Sequence, residues 1–277
     1  MGRPVPERIA PGVHLVTLGR GIAATNVYLV RSAGGRWVLV DAGWRGSAPA
    51  IDAAVDQLLG PGERPAAILL THLHPDHSGA AGVLARTWDV QVHVHPDEVP
   101  TAAGRYLPER SMPLDRWLVV PLMRLLPARR RTAVEAAGDI TDVVRPLGPA
   151  GAVPAMPDWE YVPSPGHTPG HVAYLRRSDG VLLSGDAVLT VDLNSLSGVV
   201  SGRQRLAGPP RLTTWDAETA RRSLHALAAL RPSLVAPGHG RSLRYGSTNP
   251  AQVRGRRPRA RGDGRAVLAR QHPAPER

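Results

Sequence analysis

The sequence predicts a mixed fold of class α+β, with layered sheets and helices packed outside them. Two observations lead to this prediction. Short apolar segments rich in β-branched residues recur along the chain, and beyond residue 47 they alternate with segments of helical periodicity. With 277 residues, 42% of them hydrophobic, the chain is long and apolar enough to bury a large core.

The first third is predicted to open with a strand hairpin and to continue as alternating strands and helices. The turn of the hairpin is AGG at 33–35, and the first helix has Ser47 at its start and Gly60 at its end. The predicted strands are 12–18, 25–32, 36–43, 66–70 and 90–95, and the predicted helices are 47–60 and 78–87.

Residues 97–150 are predicted to form a helical insertion over the functional site. The segment 114–131 within it is apolar but interrupted by Pro121, Arg124 and Pro127, which indicates short helical pieces. An ordinary pair of packing helices explains the same pattern equally well. A helix lying on a membrane surface is less favoured, because the prolines interrupt its amphipathic pattern.

Regular structure is predicted to resume after the insertion and to end before the last thirty residues. The expected order is strands at 159–164, 171–177 and 180–186, a loop to 213, a helix at 216–230 and a strand at 233–240. Residues 246–277 are rich in Arg, Pro and Gly and too poor in apolar residues to fold alone. We therefore predict one domain over 1–245 and a basic, disordered tail over 246–277.

The basic character of the chain is concentrated in that tail. The formal net charge is +11, and all 34 basic residues are Arg because Lys is absent. Residues 241–277 contain ten Arg and two acidic residues, a net charge of +8. The rest of the chain is nearly balanced, which argues against a uniformly basic surface and makes nucleic acid an unexpected partner.

Composition also limits the compartment and the metal chemistry. The chain contains no Cys, so disulfides and thiolate ligands are excluded. No stretch approaches the roughly 18 apolar residues of a membrane span, and the first residues lack the apolar core of a secretory signal. These features predict a cytoplasmic protein. Any metal would be bound by imidazole and carboxylate groups, which suit zinc, iron or manganese.

Four separated segments place metal-ligating residue types directly after predicted strands. Side chains at the ends of strands are held rigidly and can converge on one point, as a metal site requires. Each segment alone is a weak signal, but the four together, in this order, strongly indicate a metal centre. The segments are THLHPDHSG at 71–79, PGHTPGH at 165–171, SGDA at 184–187 and PGHG at 237–240.

This order of motifs resembles the metallo-β-lactamase superfamily. TNVYLV at 25–30 and LVDAG at 39–43 also look like the opening strands of that superfamily, so the resemblance extends over about 12–242. It implies a four-layer αββα sandwich with a two-metal site at one edge, between the sheets. It also implies two divalent metal ions as cofactors, zinc first, with iron or manganese as alternatives.

The resemblance assigns a role to each motif residue. It implies that His72, His74 and His167 bind one metal ion and that Asp76, His77 and His239 bind the other. Asp186 would bridge the two ions, and Asp41 would orient the 71–79 loop through hydrogen bonds. Asp76 would also act in catalysis, by orienting the attacking hydroxide or by passing a proton to the leaving group.

Other histidines are expected to lie outside the ligand set. His171 begins a strand and is predicted to be a hydrogen-bonding neighbour of the site. VHVHPDE at 92–98 copies part of the first motif, but His93 and His95 fall within a predicted strand and Glu98 replaces the last histidine. We expect a strand of the second sheet there. Isolated histidines have no partner pattern and are expected to be structural or exposed: His14, His225 and His272.

The residues favour metal-assisted hydrolysis of a small molecule, by a hydroxide that the metal ions activate. The bridging Asp186 and the absence of Cys argue against β-lactamase activity and resemble glyoxalase II and the acyl-homoserine lactonases. The apolar segment 114–127 favours a lactone or ester among ester, lactone and thioester substrates. Two alternatives stay open: an iron-dependent sulfur (persulfide) dioxygenase, and a phosphodiesterase or RNA-processing hydrolase that uses the basic tail. The oligomeric state is not predicted.

Overall fold

A seven-stranded sheet forms the first half of the molecule. The computed structural model describes residues 4–149, 151–195 and 204–245, and the predicted tail lies outside these ranges. The strands follow chain order; the first four pair antiparallel and the last four pair parallel. They are β1 (Glu7–Ala10), β2 (Val13–Leu18), β3 (Thr25–Arg31), β4 (Trp37–Val40), β5 (Ile68–Leu69), β6 (Val92–Val94) and β7 (Val144–Pro146).

A five-stranded sheet and a small hairpin complete the β structure of the described residues. The order in the second sheet is β14-β13-β10-β9-β8, with β10 and β13 parallel, and β11 pairs antiparallel with β12. The strands are β8 (Glu160–Pro163), β9 (Val172–Arg176), β10 (Val181–Gly185), β11 (Leu189–Val191), β12 (Gln204–Ala207), β13 (Leu234–Pro237) and β14 (Leu243–Arg244).

The helices lie between strands β4 and β7 and before strand β13. They are α1 (Ala48–Leu59), α2 (Pro75–Ser78), α3 (Ala81–Trp88), α4 (Val120–Leu125), α5 (Ala128–Gly138) and α6 (Ala217–Ala229). A 3-10 segment, Pro96–Ala103, follows β6, and a π-helical turn, Asp115–Val119, leads into α4.

The layers follow one another in the order helix, sheet, sheet, helix, and an apolar core lies between each pair of neighbouring layers. The central core joins Tyr28 and Val40 of the first sheet to Leu183 of the second. Helices α1 and α3 cover the outer face of the first sheet, and α6 covers the outer face of the second through Leu227. Because β3 is buried on both faces, six of its seven residues are buried. The predicted αββα sandwich is confirmed.

Two tyrosines join the sheets where strands reach the metal-ligating motifs. The Tyr174 hydroxyl on β9 donates to the carbonyl of Leu70, 2.9 Å away, just before the 71–79 loop. The Tyr28 hydroxyl on β3 donates to the carbonyl of Pro237, 2.7 Å away, at the first residue of the 237–240 motif. The first bond ties the end of β5 to the second sheet, and the second bond ties the end of β13 to the first sheet.

Several short elements differ from the sequence-based predictions. The hairpin β11–β12 lies inside the segment predicted as a loop, because three- and four-residue strands carry too little periodicity to detect. The strand that contains His93 belongs to the first sheet, so the prediction of a second-sheet strand was wrong. Helix α3 carries the chain back to the start of the sheet, so β6 runs parallel to β5 and pairs with it.

The insertion contains helices with largely exposed apolar side chains. Trp117 and Leu125 are 83% and 81% exposed. Pro121 has no N–H to donate to the carbonyl four residues earlier, and the preceding turn widens so that the Val120 N–H bonds to Asp115 O. Among the described residues, the structure contains no helix long and apolar enough to cross a membrane.

The Tyr174 hydroxyl should contribute measurably to stability. In Tyr174→Phe the buried Leu70 carbonyl loses this donor, so we expect the free energy of unfolding to fall by about 1–3 kcal/mol. Urea unfolding followed by circular dichroism would measure the change. Tyr106→Phe is the matched control, because Tyr106 is 44% exposed. Equal stability of both variants and the parent would contradict the prediction.

Candidate metal centre

The four motifs converge at one edge of the sandwich, between the ends of the two sheets. The 71–79 loop follows β5, and the single turn of α2 within it directs Asp76 and His77 to the same side as the preceding histidines. Ligand-type atoms lie within 4.8 Å of one another in three groups, and the middle group, His72, His77 and Asp186, shares a histidine with each of the other two. The first cluster consists of His72, His74 and His167, and the second cluster of Asp76, His77 and His239.

Asp186 lies between the two clusters. Its Oδ2 atom is 3.4 Å from His167 Nε2 and 3.5 Å from His239 Nε2. Its Oδ1 atom is 3.4 Å from His77 Nε2. One carboxylate therefore faces imidazoles of both clusters, which is the arrangement that a bridging ligand requires.

Asp41 orients the first loop through three groups. Its carboxylate accepts hydrogen bonds from the Thr71 N–H at 2.8 Å, from the Thr71 hydroxyl and from His77 Nδ1 at 2.9 Å. Because the Thr71 hydroxyl donates to Asp41, its oxygen accepts from His72 Nδ1, 3.0 Å away. Both histidines therefore direct Nε2 toward the centre.

The imidazoles of His239 and His167 are also oriented through Nδ1, by other partners. His239 Nδ1 donates to the carbonyl of Ala24 at 2.7 Å. His167 Nδ1 lies 3.3 Å from the Thr214 hydroxyl, which itself donates to the carbonyl of Pro210. Both imidazoles thus have their Nδ1 proton fixed and keep Nε2 for a ligand.

The inward-facing atoms fit a metal ion. Within the described residues, the Nε2 atoms of His72, His77 and His167 and the Oδ1 atom of Asp186 are buried without a hydrogen-bond partner. Buried polar atoms without partners are costly and call for an explanation, and metal coordination supplies one. The donors are imidazole and carboxylate groups, a set that suits zinc, iron or manganese.

The electrostatics of the two clusters differ. Burial lowers the pKa of His72 and His167 well below the ordinary value and that of His74 to about 4, so these imidazoles are neutral. Burial also opposes charge on His239, but the carboxylates of Asp186 and Asp76 outweigh it and raise its pKa to about 10. Burial opposes charge on His77 too, but Asp186, Asp76 and Asp41 outweigh it and raise its pKa well above the ordinary value. The second cluster therefore stabilises positive charge.

Asp76 is the most accessible of the site carboxylates. Its side chain is 18% exposed, against 2% for Asp41 and 4% for Asp186. Burial raises its pKa, but His77 and His239 outweigh that effect and hold the pKa at about 2. Asp76 is thus an ionised carboxylate that solvent can reach, and its Oδ2 atom is 3.1 Å from His239 Nε2.

His171 lies beside the centre with both ring nitrogens occupied. Its Nε2 atom accepts the backbone N–H of Asp186 at 3.0 Å, and its Nδ1 atom is 2.8 Å from the Ser164 hydroxyl. The ring therefore positions Asp186 and has no nitrogen left for a metal ion.

Gly238 and Gly166 each allow the backbone of a motif to lie close to a neighbouring group. A Cβ atom on Gly238 would lie 2.3 Å from Asp186 Oδ1 and 2.5 Å from His77 Cε1, so this glycine brings the backbone against the centre. A Cβ on Gly166 would instead lie 2.1 Å from the backbone nitrogen of Ala220 in α6. Gly166 therefore permits the loop to pack on the helix.

Several contacts escaped the sequence-based prediction. Thr71 is adjacent to the motif and could have been suspected, whereas Thr214 and Ala24 reach the site only through the tertiary fold. Glu98 lies in the segment that copies the first motif, and its buried carboxylate bonds to two site loops. His93 and His95 of that segment are in neither ligand cluster.

Comparison with known proteins agrees with this geometry. The sequence model of the metallo-β-lactamase superfamily matches residues 20–239. A probable metallo-hydrolase of Bacillus subtilis (strain 168), YflN, is 38% identical over 235 residues, covering 83% of this chain and 84% of YflN.

Solved structures share the fold. The crystal structure of TTHA1623 in a di-iron-bound form is 28% identical, with a TM-score of 0.52, and the match covers 83% of this chain and 93% of that one. AidC, a dizinc quorum-quenching lactonase, is 13% identical with a TM-score of 0.61, over 89% of this chain and 99% of AidC. At that identity the likeness concerns the fold alone. The chain belongs to the metallo-β-lactamase superfamily, as its motifs predicted.

Proposed function

We propose that the chain is a binuclear metal-dependent hydrolase of a carboxylic ester, lactone or thioester. The observation that carries the proposal is the position of Asp186, whose carboxylate faces His167 of the first cluster and His77 and His239 of the second. A carboxylate shared in this way suits two cations close together. In this proposal the seven ligands are His72, His74, Asp76, His77, His167, Asp186 and His239.

Two cations at this centre would activate a shared water and polarise the acyl carbonyl. The protein residues would provide the rest. Asp76 is ionised and accessible, so it can orient the attacking oxygen and carry a proton to the leaving group. Asp41 and Thr71 hold His72 and His77 in fixed orientations, so the ligand nitrogens stay in the positions that the reaction requires.

A cavity beside His239 supports a small organic substrate. Its volume is about 610 Å³, within the range of small-molecule sites. Apolar side chains such as Leu15, Val191 and Leu193 line it together with polar Thr17 and Asn26 and with the charged Glu7 and Arg241. The apolar part of this lining can accommodate the carbon skeleton of an ester or lactone. The lactonase activity named for AidC, which shares the fold, is consistent with this choice.

Metal content provides the first test. We expect two divalent ions per chain, zinc before iron or manganese, and loss of about one ion in His167→Ala or His239→Ala because each removes a ligand from one cluster. Elemental analysis by mass spectrometry after dialysis measures this. His225→Ala, at an exposed position of α6, is the control and should keep the parental content. Two ions retained in both site variants would contradict the ligand assignment.

Substrate turnover provides the second test. Kinetics on lactones, carboxylic esters, thioesters and phosphodiesters should show chelator-sensitive hydrolysis of one of the first three classes. Asp76→Asn should lower kcat/KM by about 10²–10⁴-fold, because it removes both a carboxylate ligand of the second cluster and the accessible proton carrier. Turnover of phosphodiesters alone would overturn the proposal. One iron per chain with persulfide-dependent oxygen uptake would favour a sulfur dioxygenase instead.

The role of Asp41 can be tested without straining the backbone. Residue 41 has a left-handed conformation, φ 59°, which Asn tolerates. We expect Asp41→Asn to weaken metal binding by about 10–100-fold, because Thr71 and His77 lose a charged acceptor. Competition with a chromogenic chelator measures the affinity. Asp89→Asn is the matched control, since Asp89 is exposed and has φ 54°. Parental affinity in Asp41→Asn would contradict the assigned role.

A further inference from the structure

We propose that Glu98 is a positioning residue that fixes the spacing between the two loops of the first cluster. The inference rests on the proposed metal-dependent function and adds to it a residue that no ligand motif contains. Glu98 lies in the 3-10 segment after β6, and the residue is 1% exposed. It belongs to neither ligand cluster and does not line the cavity beside His239.

Each carboxylate oxygen of Glu98 accepts a backbone N–H from a different ligand loop. Oε2 accepts from Leu73, 3.0 Å away, between His72 and His74. Oε1 accepts from Gly170, 2.8 Å away, in the loop that contains His167. One rigid, planar group therefore sets the distance between the two halves of the first cluster.

A second, independent contact joins the same segments. A Cβ atom at Gly170 would lie 2.8 Å from the backbone nitrogen of Glu98 and 2.9 Å from its Cγ atom. The loop can thus approach Glu98 only because residue 170 has no side chain. Glu98 is itself held by a turn, since its N–H donates to the carbonyl of His95 at 2.8 Å.

The chemistry of the bridge requires a carboxylate. Both partners are N–H donors, so both side-chain oxygens must accept. An amide at this position has one accepting oxygen and one donating NH₂ group, and the NH₂ group would face a second donor. Glu98→Gln therefore keeps the size of the side chain and breaks one arm of the bridge.

The test measures the two metal affinities separately in the full chain. Zinc titration against a competing chelator should show that Glu98→Gln weakens binding at one of the two sites by about 10–100-fold and leaves the other within about threefold. Gly170→Ala should weaken the same site, because it separates the loops by a different route. Glu109→Gln, at an exposed position in the insertion, is the control and should match the parent.

Hydrogen exchange provides a readout that does not depend on activity. In the metal-free protein, Glu98→Gln should accelerate exchange of at least one of the Leu73 and Gly170 amides and leave the Tyr161 amide in β8 unchanged. Parental affinity at both sites, equal weakening of both sites, or unchanged exchange at both amides would overturn the inference. Accelerated exchange and selective weakening in a chain that hydrolyses no ester, lactone or thioester would support the positioning role and refute the proposed function.

Discussion

Buried carboxylates surrounded by fixed donors are the constraint on which this structure depends. Counted as whole residues, Asp41, Glu98 and Asp186 are each at most 3% exposed. Moving such charges out of water costs several kcal/mol each unless donors stand ready in the fold. Loops at the strand ends provide backbone N–H donors for Asp41 and Glu98, whereas Asp186 faces imidazoles and would be compensated by the bound cations. The same rigidity keeps the Nε2 atoms of the histidines directed at a common centre.

The local part of the site was predictable from the sequence, whereas the supporting part was not. His72, His74, Asp76 and His77 lie in one short loop, so their convergence follows from the loop alone. Asp41 was expected from its motif. Thr214 and the Ala24 carbonyl could not be predicted, because they reach His167 and His239 only after strands distant in sequence have packed together.

The fold was predicted, but several short strands were missed. Repeated apolar residues identify β2, β3 and β10, which are buried over most of their length. Strand β1 has four residues, two of them exposed, and the hairpin β11–β12 joins strands of three and four residues. Such segments become strands because a neighbouring strand offers unpaired N–H and C=O groups, and their own sequence contributes little.

The contact between His239 and Ala24 has a consequence for the order of events during synthesis. Asn26 also reaches this region, where its side-chain amide donates to the carbonyls of Pro237 and Gly240. More than two hundred residues separate these partners, so loop closure over nearly the whole domain must precede them. A nascent chain can therefore complete the second cluster only after residue 240 has left the ribosome. In the proposed two-ion site, capture of the ion at this cluster would mark the moment at which the domain has closed.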